Sequence, residues 1–215
     1  MAKDYSEPEL SILILDFLKE TSTRDCIESV IRHVKMPYRI HYLHNGPSSY
    51  AHLLYEKYPI DVFIQTKEND GLGVGTRNLV ASCFTPYFMM LQNDQIIGRD
   101  FAQIEFDAIK KKLTETDPPF VANSEQPHPT GGDYKIHHYH RQLYGSISLA
   151  GPVGGKGVYS ERCHIAHTWT YKMMEVMVPL SPGGAGKYHH QIWREEQIQK
   201  YYKKMEFTHF TEWPP

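Results

Sequence analysis

Apolar runs that alternate with helix-type patterns restrict the fold of this chain more than any other feature. Short apolar runs rich in leucine, isoleucine and aromatic residues favour buried strands, and here they are Leu10–Leu15, Tyr38–Leu43, Ile60–Gln65 and Tyr87–Leu91. The segments between them have helical spacing: Cys26–Val34, Ser48–Tyr58 and Thr76–Phe84. Strands separated by helices in this way form βαβ units. We therefore predict an α/β fold with a mostly parallel central sheet flanked by helices.

The stretch around the fourth strand has the strongest functional pattern. Gly71, Gly73 and Gly75 predict a glycine-rich turn that opens a helix at Thr76. The next strand stops abruptly at the polar run Gln92–Asp94. Open α/β sheets bind ligands at the carboxyl ends of their strands, so we expect a binding site here.

The second half of the chain is less regular. We predict helices at Phe101–Thr116 and Arg162–Val176, and a strand near Phe120–Ala122. Asn123–Tyr144 reads as a long polar loop, and the glycine-rich Ser181–Lys187 as a flexible loop that would close over a ligand. A chain of 215 residues suits one domain, 1–215.

Composition excludes several classes of function. A formal net charge of -2 provides no electrostatic basis for binding nucleic acid or an anionic membrane. Three widely spaced cysteines predict free thiols in a reducing compartment, and the first residues lack the pattern of a signal peptide. No segment approaches the roughly 20 apolar residues of a transmembrane span. We expect a soluble, cytoplasmic protein.

The glycine and histidine patterns could also indicate a dinucleotide site, a P-loop or a zinc site, and each match is incomplete. Gly71–Thr76 almost matches the dinucleotide fingerprint G-x-G-x-x-G, but the sixth position is threonine and the turn comes late in the chain. Gly155–Gly157 lacks the spacing of a P-loop. A zinc site would need paired ligands, which Cys163 and the histidines at 137, 138, 140, 164, 167, 189 and 190 do not provide at the usual spacing.

The order of elements and motifs resembles the nucleotide-sugar-binding half of GT-A-fold glycosyltransferases, specifically the large family 2 type of inverting enzymes. The family's E-N-x-G and A-R-N motifs have counterparts in Glu68–Gly71 and Arg77–Asn78. Its turns after the first and second strands correspond to Asp16–Leu18 and His44–Ser48. The resemblance covers about residues 10–100 and implies a GT-A-like nucleotide-sugar-binding fold. It also implies that the single domain has a donor-binding half at about 8–100 and an acceptor-binding, catalytic half at about 101–215.

The family's aspartate run, D-x-D, falls on Gln92, Asn93 and Asp94. The resemblance places Asp94 at the metal-binding aspartate, while Gln92 replaces the first aspartate, which contacts the ribose or the metal. It implies a divalent cation, Mn²⁺ or Mg²⁺, that neutralises the departing diphosphate. Because one carboxylate remains, weaker metal binding is expected. The alternative is a structural ion pair between Asp94 and Arg77.

The resemblance implies a set of donor-binding residues: Asp16, Asn45, Glu68, Arg77, Gln92, Asn93 and Asp94. In this set Asn45 would lie near the base, and Arg77 near the diphosphate or the base.

The family's acceptor and catalytic motifs have weaker counterparts in the second half. Gly154 and Gly155 resemble the Gly-Gly before the acceptor-facing strand, and Trp193 begins a run like the family's Glu-Asp motif. Glu196 then aligns with the base that deprotonates the acceptor hydroxyl, and Glu195 with the residue before it. A helix-surface pair of Glu196 with a lysine four residues later is the alternative.

His209 matches a C-terminal histidine that completes the metal site in some enzymes of this fold. Together these assignments predict an inverting glycosyltransferase with a UDP-, GDP- or dTDP-sugar donor and a glycan or small-molecule acceptor. The alternatives are a non-catalytic nucleotide-sugar-binding protein and a nucleotidyltransferase of related fold. The nucleotidyltransferases typically have a basic glycine-rich loop after the first strand, where this chain has Asp16–Glu20.

Overall fold

The computed structural model describes residues 7–98, 100–114, 121–124, 141–142, 147–150, 164–169 and 171–172. Its helices are α1 (Glu20–His33), α2 (Ala51–Lys57), α3 (Gly71–Ser82) and α4 (Gln103–Thr114). Its first strands are β1 (Leu10–Asp16), β2 (Val34–Lys35), β3 (Tyr38–His44), β4 (Val62–Gln65), β5 (Tyr87–Gln92) and β6 (Gln95–Ile96). The later strands are β7 (Phe101–Ala102), β8 (Val121–Ser124), β9 (Arg141–Gln142), β10 (Ile147–Ala150) and β11 (His164–His167).

The described residues form a seven-stranded sheet with the order β10-β8-β11-β5-β1-β3-β4. β1 pairs in parallel with β3 and β5, and β3 pairs in parallel with β4. β11 runs antiparallel to both β5 and β8, and β10 runs antiparallel to β8. Five strands therefore point one way and two the other. The predicted mixed α/β fold, with a mostly parallel central sheet flanked by helices, is confirmed.

β1 is the centre of the core because both of its faces are covered. All seven of its residues are buried, and Leu10, Ile12, Leu13 and Ile14 are inaccessible to solvent. Burial of a leucine or isoleucine side chain contributes about 1.5–3 kcal/mol, so this strand is a large part of the hydrophobic stabilisation. α1 covers part of the sheet with its own buried residues, including Cys26 and Val30.

The helix after the glycine-rich stretch begins earlier than predicted. α3 starts at Gly71, so all three glycines lie within it and Thr76 is in its second turn. Glycine is a poor helix former, but tertiary contacts fix this helix start. Asn69 Oδ1 accepts a hydrogen bond from the Gly71 amide at 3.0 Å, and Asn45 Oδ1 accepts one from the Asp70 amide at 3.0 Å.

Gly75 shows why a glycine is needed on the inner face of α3. A Cβ atom at this position would come within 2.8 Å of Leu15 Cδ1 at the end of β1. The absent side chain lets the helix pack directly on the carboxyl end of the central strand. Gly71 itself has a φ of +85°, a left-handed conformation that glycine adopts without steric cost.

Two predictions for the second half were wrong in part. Arg162–Val176 was predicted as a helix, but His164–His167 forms strand β11, while Thr168, Trp169, Tyr171 and Lys172 are helical. Pairing with β5 and β8 on either side determines its conformation, and Ile165 and Ala166 are buried in it. The predicted loop Asn123–Tyr144 contains the end of β8 and all of β9. The loop prediction at Ser181–Lys187 lies outside the described residues.

Within the described part of the chain, no helix is both long and apolar enough to cross a bilayer.

His41 in β3 is a buried histidine that the packing keeps neutral. Its Nδ1 lies 3.0 Å from Ser82 Oγ and its Nε2 lies 3.2 Å from Ser11 Oγ. Ser82 Oγ donates its own proton to the Leu79 carbonyl, so it accepts a hydrogen bond from Nδ1. Burial lowers the pKa of His41 from 6.5 to about 4.

The pKa of His41 predicts a specific loss of stability in acid. The unfolded chain binds this proton near pH 6.5 and the folded chain only near pH 4, so the stabilisation is complete above pH 6.5 and is lost as the pH falls towards 4. The free energy of unfolding should fall by up to about 1.4 kcal/mol per pH unit in this window. Urea unfolding at several pH values should show that the free energy of unfolding of His41→Gln falls less steeply with decreasing pH than that of the wild type.

His52→Gln is the matched control, because the His52 side chain is 63% exposed on α2. It should keep the wild-type slope. An unchanged slope in His41→Gln would contradict the assignment of a neutral buried imidazole.

Candidate functional site

The carboxyl ends of four parallel strands lie level with one another. The register pairs Asp16 of β1 with His44 of β3, and His44 with Gln65 of β4. On the other side of β1, Leu15 pairs with Gln92 at the end of β5. This places the residues after β5 beside Asp16, at the edge where α/β sheets bind ligands. We call this set of strand ends and the turns that follow them the carboxyl edge.

Asp16 is the most connected residue of the carboxyl edge, and its side chain is inaccessible to solvent. Its Oδ2 accepts hydrogen bonds from Tyr42 Oη at 2.8 Å, His44 Nδ1 at 2.8 Å and Tyr50 Oη at 3.0 Å. Its Oδ1 accepts one from Asn93 Nδ2 at 2.7 Å. The carboxylate therefore joins the ends of β1, β3 and β5 to the segment before α2.

These contacts decide the ionisation of the cluster. Burial alone raises the pKa of Asp16, but hydrogen bonds from His44, Thr23 and Tyr42 outweigh it and hold the pKa below its usual value. Burial, together with the Asp16 charge, raises the pKa of the Tyr42 and Tyr50 phenols. Both phenols therefore stay protonated and keep donating to an ionised Asp16.

Asn45 follows β3 and fastens the start of α3. Its amide nitrogen donates to Asn69 Oδ1 and to the Gly71 carbonyl, each at 3.0 Å. Its oxygen accepts from the Asp70 amide at 3.0 Å and from Thr66 Oγ1 at 3.2 Å. Because its amide group is fully engaged and 3% exposed, Asn45 holds the turn in place. A contact with a nucleotide base, as the resemblance implies, would have to replace one of these bonds.

Asp94 lies on the solvent side of the same edge. Its Oδ2 is 3.8 Å from Lys19 Nζ, with the Asp94 side chain 20% exposed and the Lys19 side chain 42% exposed. This ion pair links the turn after β5 to the turn after β1. The structural partner that sequence reasoning considered for Asp94 was Arg77; the structure places Lys19 there.

The remaining predicted donor residues surround this edge at different depths. Glu68 is exposed in the turn before α3, and its carbonyl accepts a hydrogen bond from Thr66 Oγ1. Gln92 ends β5 and is partly exposed, while Asn93 is buried. Arg77 is partly buried in α3. The structure thus brings the residues around Asp16, Asn45, Asn93 and Asp94 to one edge.

The predicted residues of the second half lie outside the described residues: Gly154, Gly155, Trp193, Glu195, Glu196 and His209. Their assignments stay predictions.

The described residues taken alone do not make a metal site. Among them, no three side chains of histidine, cysteine, aspartate or glutamate are grouped so as to hold a metal ion. Asp94 is the predicted ligand that they contain, and Lys19 already pairs with its carboxylate.

Sequence reasoning did not include Lys19, His44 and Tyr50 among the site residues, although His44 begins one of the turns that the resemblance matches. The sequence pattern could have indicated His44. Residues two apart on a strand share a face, so Tyr42 and His44 lie on the same face of β3, and His44 pairs with Asp16 at the end of β1. Lys19 and Tyr50 had no such signal. Their meeting, a hydrogen bond from the Lys19 amide to Tyr50 Oη at 2.8 Å, joins two turns far apart in sequence.

A scan against protein-family models gives no match, and a search of curated protein sequences gives none either. Solved structures of TarS from S. aureus do match. The structure of TarS residues 1–349 in complex with UDP has a TM-score of 0.62 at 12% identity, covering 90% of this chain and 55% of that one. The complex with UDP-GlcNAc has a TM-score of 0.56 at 11% identity, covering 88% and 54%.

TarS 1–349 without a named ligand matches with a TM-score of 0.60 at 12% identity, over 87% of this chain and 55% of that one. The chain thus spans about half the length of these structures of TarS 1–349. At such low identity the likeness is one of fold: this chain has the mixed α/β fold of a protein that has been solved with UDP and with UDP-GlcNAc.

The cluster around Asp16 predicts a large loss of stability when its charge is removed. Asp16→Asn would leave buried hydroxyl and imidazole donors facing an amide that also donates. We expect the free energy of unfolding in urea to fall by roughly 3 kcal/mol or more. Asp100→Asn is the control, because Asp100 is 63% exposed in its pair with His33, and it should change stability by less than about 1 kcal/mol. Equal effects would show that the cluster does not hold the edge together.

Proposed function

We propose that this chain binds a nucleoside-diphosphate sugar at the carboxyl edge and transfers the sugar to an acceptor hydroxyl with inversion. The observation that carries the proposal is the carboxyl edge itself: level strand ends bearing Asp16, Asn93 and Asp94, in a fold shared with a protein solved with UDP and UDP-GlcNAc. The donor would be a UDP-, GDP- or dTDP-sugar, and the acceptor a glycan or a small molecule.

The predicted donor residues divide into two roles in this proposal. Asp16, Asn45 and Asn93 are buried and hydrogen-bonded to the protein, so they would shape the site from below. Glu68, Gln92 and Asp94 are at least partly exposed and would face the ligand. Arg77 in α3 would approach the diphosphate or the base from the side of the helix.

Departure of a nucleoside diphosphate develops negative charge, which fixed positive groups at the site would stabilise. The positive end of the α3 dipole lies at Gly71 rather than at Thr76, because the helix starts there. This helix end lies on the carboxyl edge, where Asn45 holds it by donating a hydrogen bond to the Gly71 carbonyl. A diphosphate bound above this edge would be near that helix end.

Mn²⁺ or Mg²⁺ stays a prediction of the resemblance. Asp94 and His209 are its proposed ligands, and the described residues alone do not fit a divalent cation. Glu196, with Glu195 before it, is the proposed base, and Gly154, Gly155 and Trp193 the proposed acceptor platform. We keep 1–215 as one domain with donor and acceptor halves in this proposal.

A thermal-unfolding screen with UDP, GDP, CDP and dTDP tests the donor site. One nucleotide should stabilise the folded chain, by about 2.7 kcal/mol at a hundred times its dissociation constant. Each nucleotide is measured with Mn²⁺, with Mg²⁺ and with EDTA. If Asp94 holds a cation, the additional stabilisation seen with metal should disappear in Asp94→Asn. It should persist in Asp107→Asn, whose carboxylate is exposed on α4.

The same preparations separate transfer from binding alone. Incubation with the matching sugar nucleotide should release nucleoside diphosphate, slowly to water and faster with an acceptor. Stabilisation without any release would favour a non-catalytic binding protein. Absence of stabilisation by all four nucleotides would overturn the donor-site proposal.

A further inference from the structure

We propose that Lys19 binds the diphosphate of the donor, and that its ion pair with Asp94 opens when the donor enters. This inference rests on the proposed function, because it names the residue that would meet the diphosphate at that site. The pair lies on the solvent side of the carboxyl edge, with Nζ and Oδ2 3.8 Å apart.

The fold holds the backbone of Lys19 firmly for a residue in an exposed turn. Its amide donates to Tyr50 Oη at 2.8 Å, and its carbonyl accepts from the Thr23 amide and from Thr23 Oγ1, each at 2.9 Å. Leu18, directly before it, has a φ of +53°, which is unfavourable for a residue with a side chain. Lys19 is thus fixed at its backbone while its ammonium group stays accessible.

The same buried carboxylate positions both members of the ion pair. Asp16 accepts a hydrogen bond from Tyr50, whose oxygen accepts from the Lys19 amide. It also accepts one from Asn93, the residue before Asp94. A change at Asp16 would therefore move the positive and the negative partner together.

The ion pair is suited to opening rather than to holding the fold. Both side chains are partly exposed, and ion pairs in contact with water stabilise folded proteins little. The ammonium group of lysine is a compact charge on a flexible stem that binds phosphate oxygens well. A diphosphate, with more than one negative charge, attracts it more strongly than a single carboxylate does.

Asp94 would oppose diphosphate binding, whereas Lys19 would favour it. In the free protein the Asp94 carboxylate forms an ion pair with the Lys19 ammonium group, and it would repel a diphosphate bound at the same place. Neutralising Asp94 in the absence of metal should therefore favour diphosphate binding. Neutralising Lys19 should oppose it. An ion pair with only a structural role would give effects of the same sign at both positions.

Calorimetric titration in EDTA tests this difference, with the nucleoside diphosphate that the wild type prefers and the nucleoside of the same base. Lys19→Met should bind the diphosphate about tenfold more weakly or worse, and the nucleoside as the wild type does. Asp94→Asn should bind the diphosphate more tightly. Lys19→Arg keeps the charge and should restore most of the affinity lost in Lys19→Met.

Lys35→Met is the matched control, because Lys35 follows α1 on β2, away from the carboxyl edge, and its ammonium group donates to the Arg32 carbonyl. It should leave both affinities unchanged. Weaker diphosphate binding in both Lys19→Met and Asp94→Asn would overturn the inference, as would an equal loss for diphosphate and nucleoside. Wild-type protein that binds no nucleoside diphosphate would instead overturn the proposed function, so the two failures are distinguishable.

Discussion

The ionised carboxylate of Asp16, inaccessible to solvent, is the constraint on which the carboxyl edge depends. A charge removed from water is costly unless hydrogen-bond donors replace the solvent, and here two phenols, an imidazole and an amide do so. These donors come from β3, from the segment before α2 and from the turn after β5. The charge can therefore be satisfied only when the strands end level with one another. The core of β1 supplies hydrophobic stabilisation, while Asp16 specifies how the strand ends meet.

This buried layer changes how the predicted donor residues are understood. Asp16, Asn45 and Asn93 have polar atoms already bonded to the protein, so we infer that they position their neighbours. The groups on the solvent side include those of Lys19, Glu68, Gln92 and Asp94. A site built in this way has a rigid floor and a small number of charges above it, which is how preorganised electrostatic stabilisation operates.

The sequence predicted the fold wherever local pattern and tertiary environment agree. The apolar run of β1 and the spacing of β1, β3, β4 and β5 were sufficient for the parallel half of the sheet. The start of α3 was not predictable from propensity, because Asn45 and Asn69 stabilise a glycine-rich turn as helix from positions outside it. Strand β11 was missed because β5 and β8 determine its conformation. In the candidate site, motif position predicted Asp16 and Asp94, whereas Lys19 has no motif and its proposed role depends on a partner 75 residues later in the chain.

The distinction between a cation site and a lysine site at this edge is one of charge balance. In the proposed complex, a diphosphate would bring negative charge to a place where Asp94 already has one, so positive charge would have to come from the protein, from the solvent or from both. Lys19 would supply one positive charge directly, and its movement onto a phosphate oxygen would release the Asp94 carboxylate. A released carboxylate beside a diphosphate is a better hard-oxygen ligand for Mg²⁺ or Mn²⁺ than one paired with an ammonium group. If a cation binds at this edge, Asp94 would hold it, and the cation would add positive charge beside the phosphate oxygens to that of Lys19.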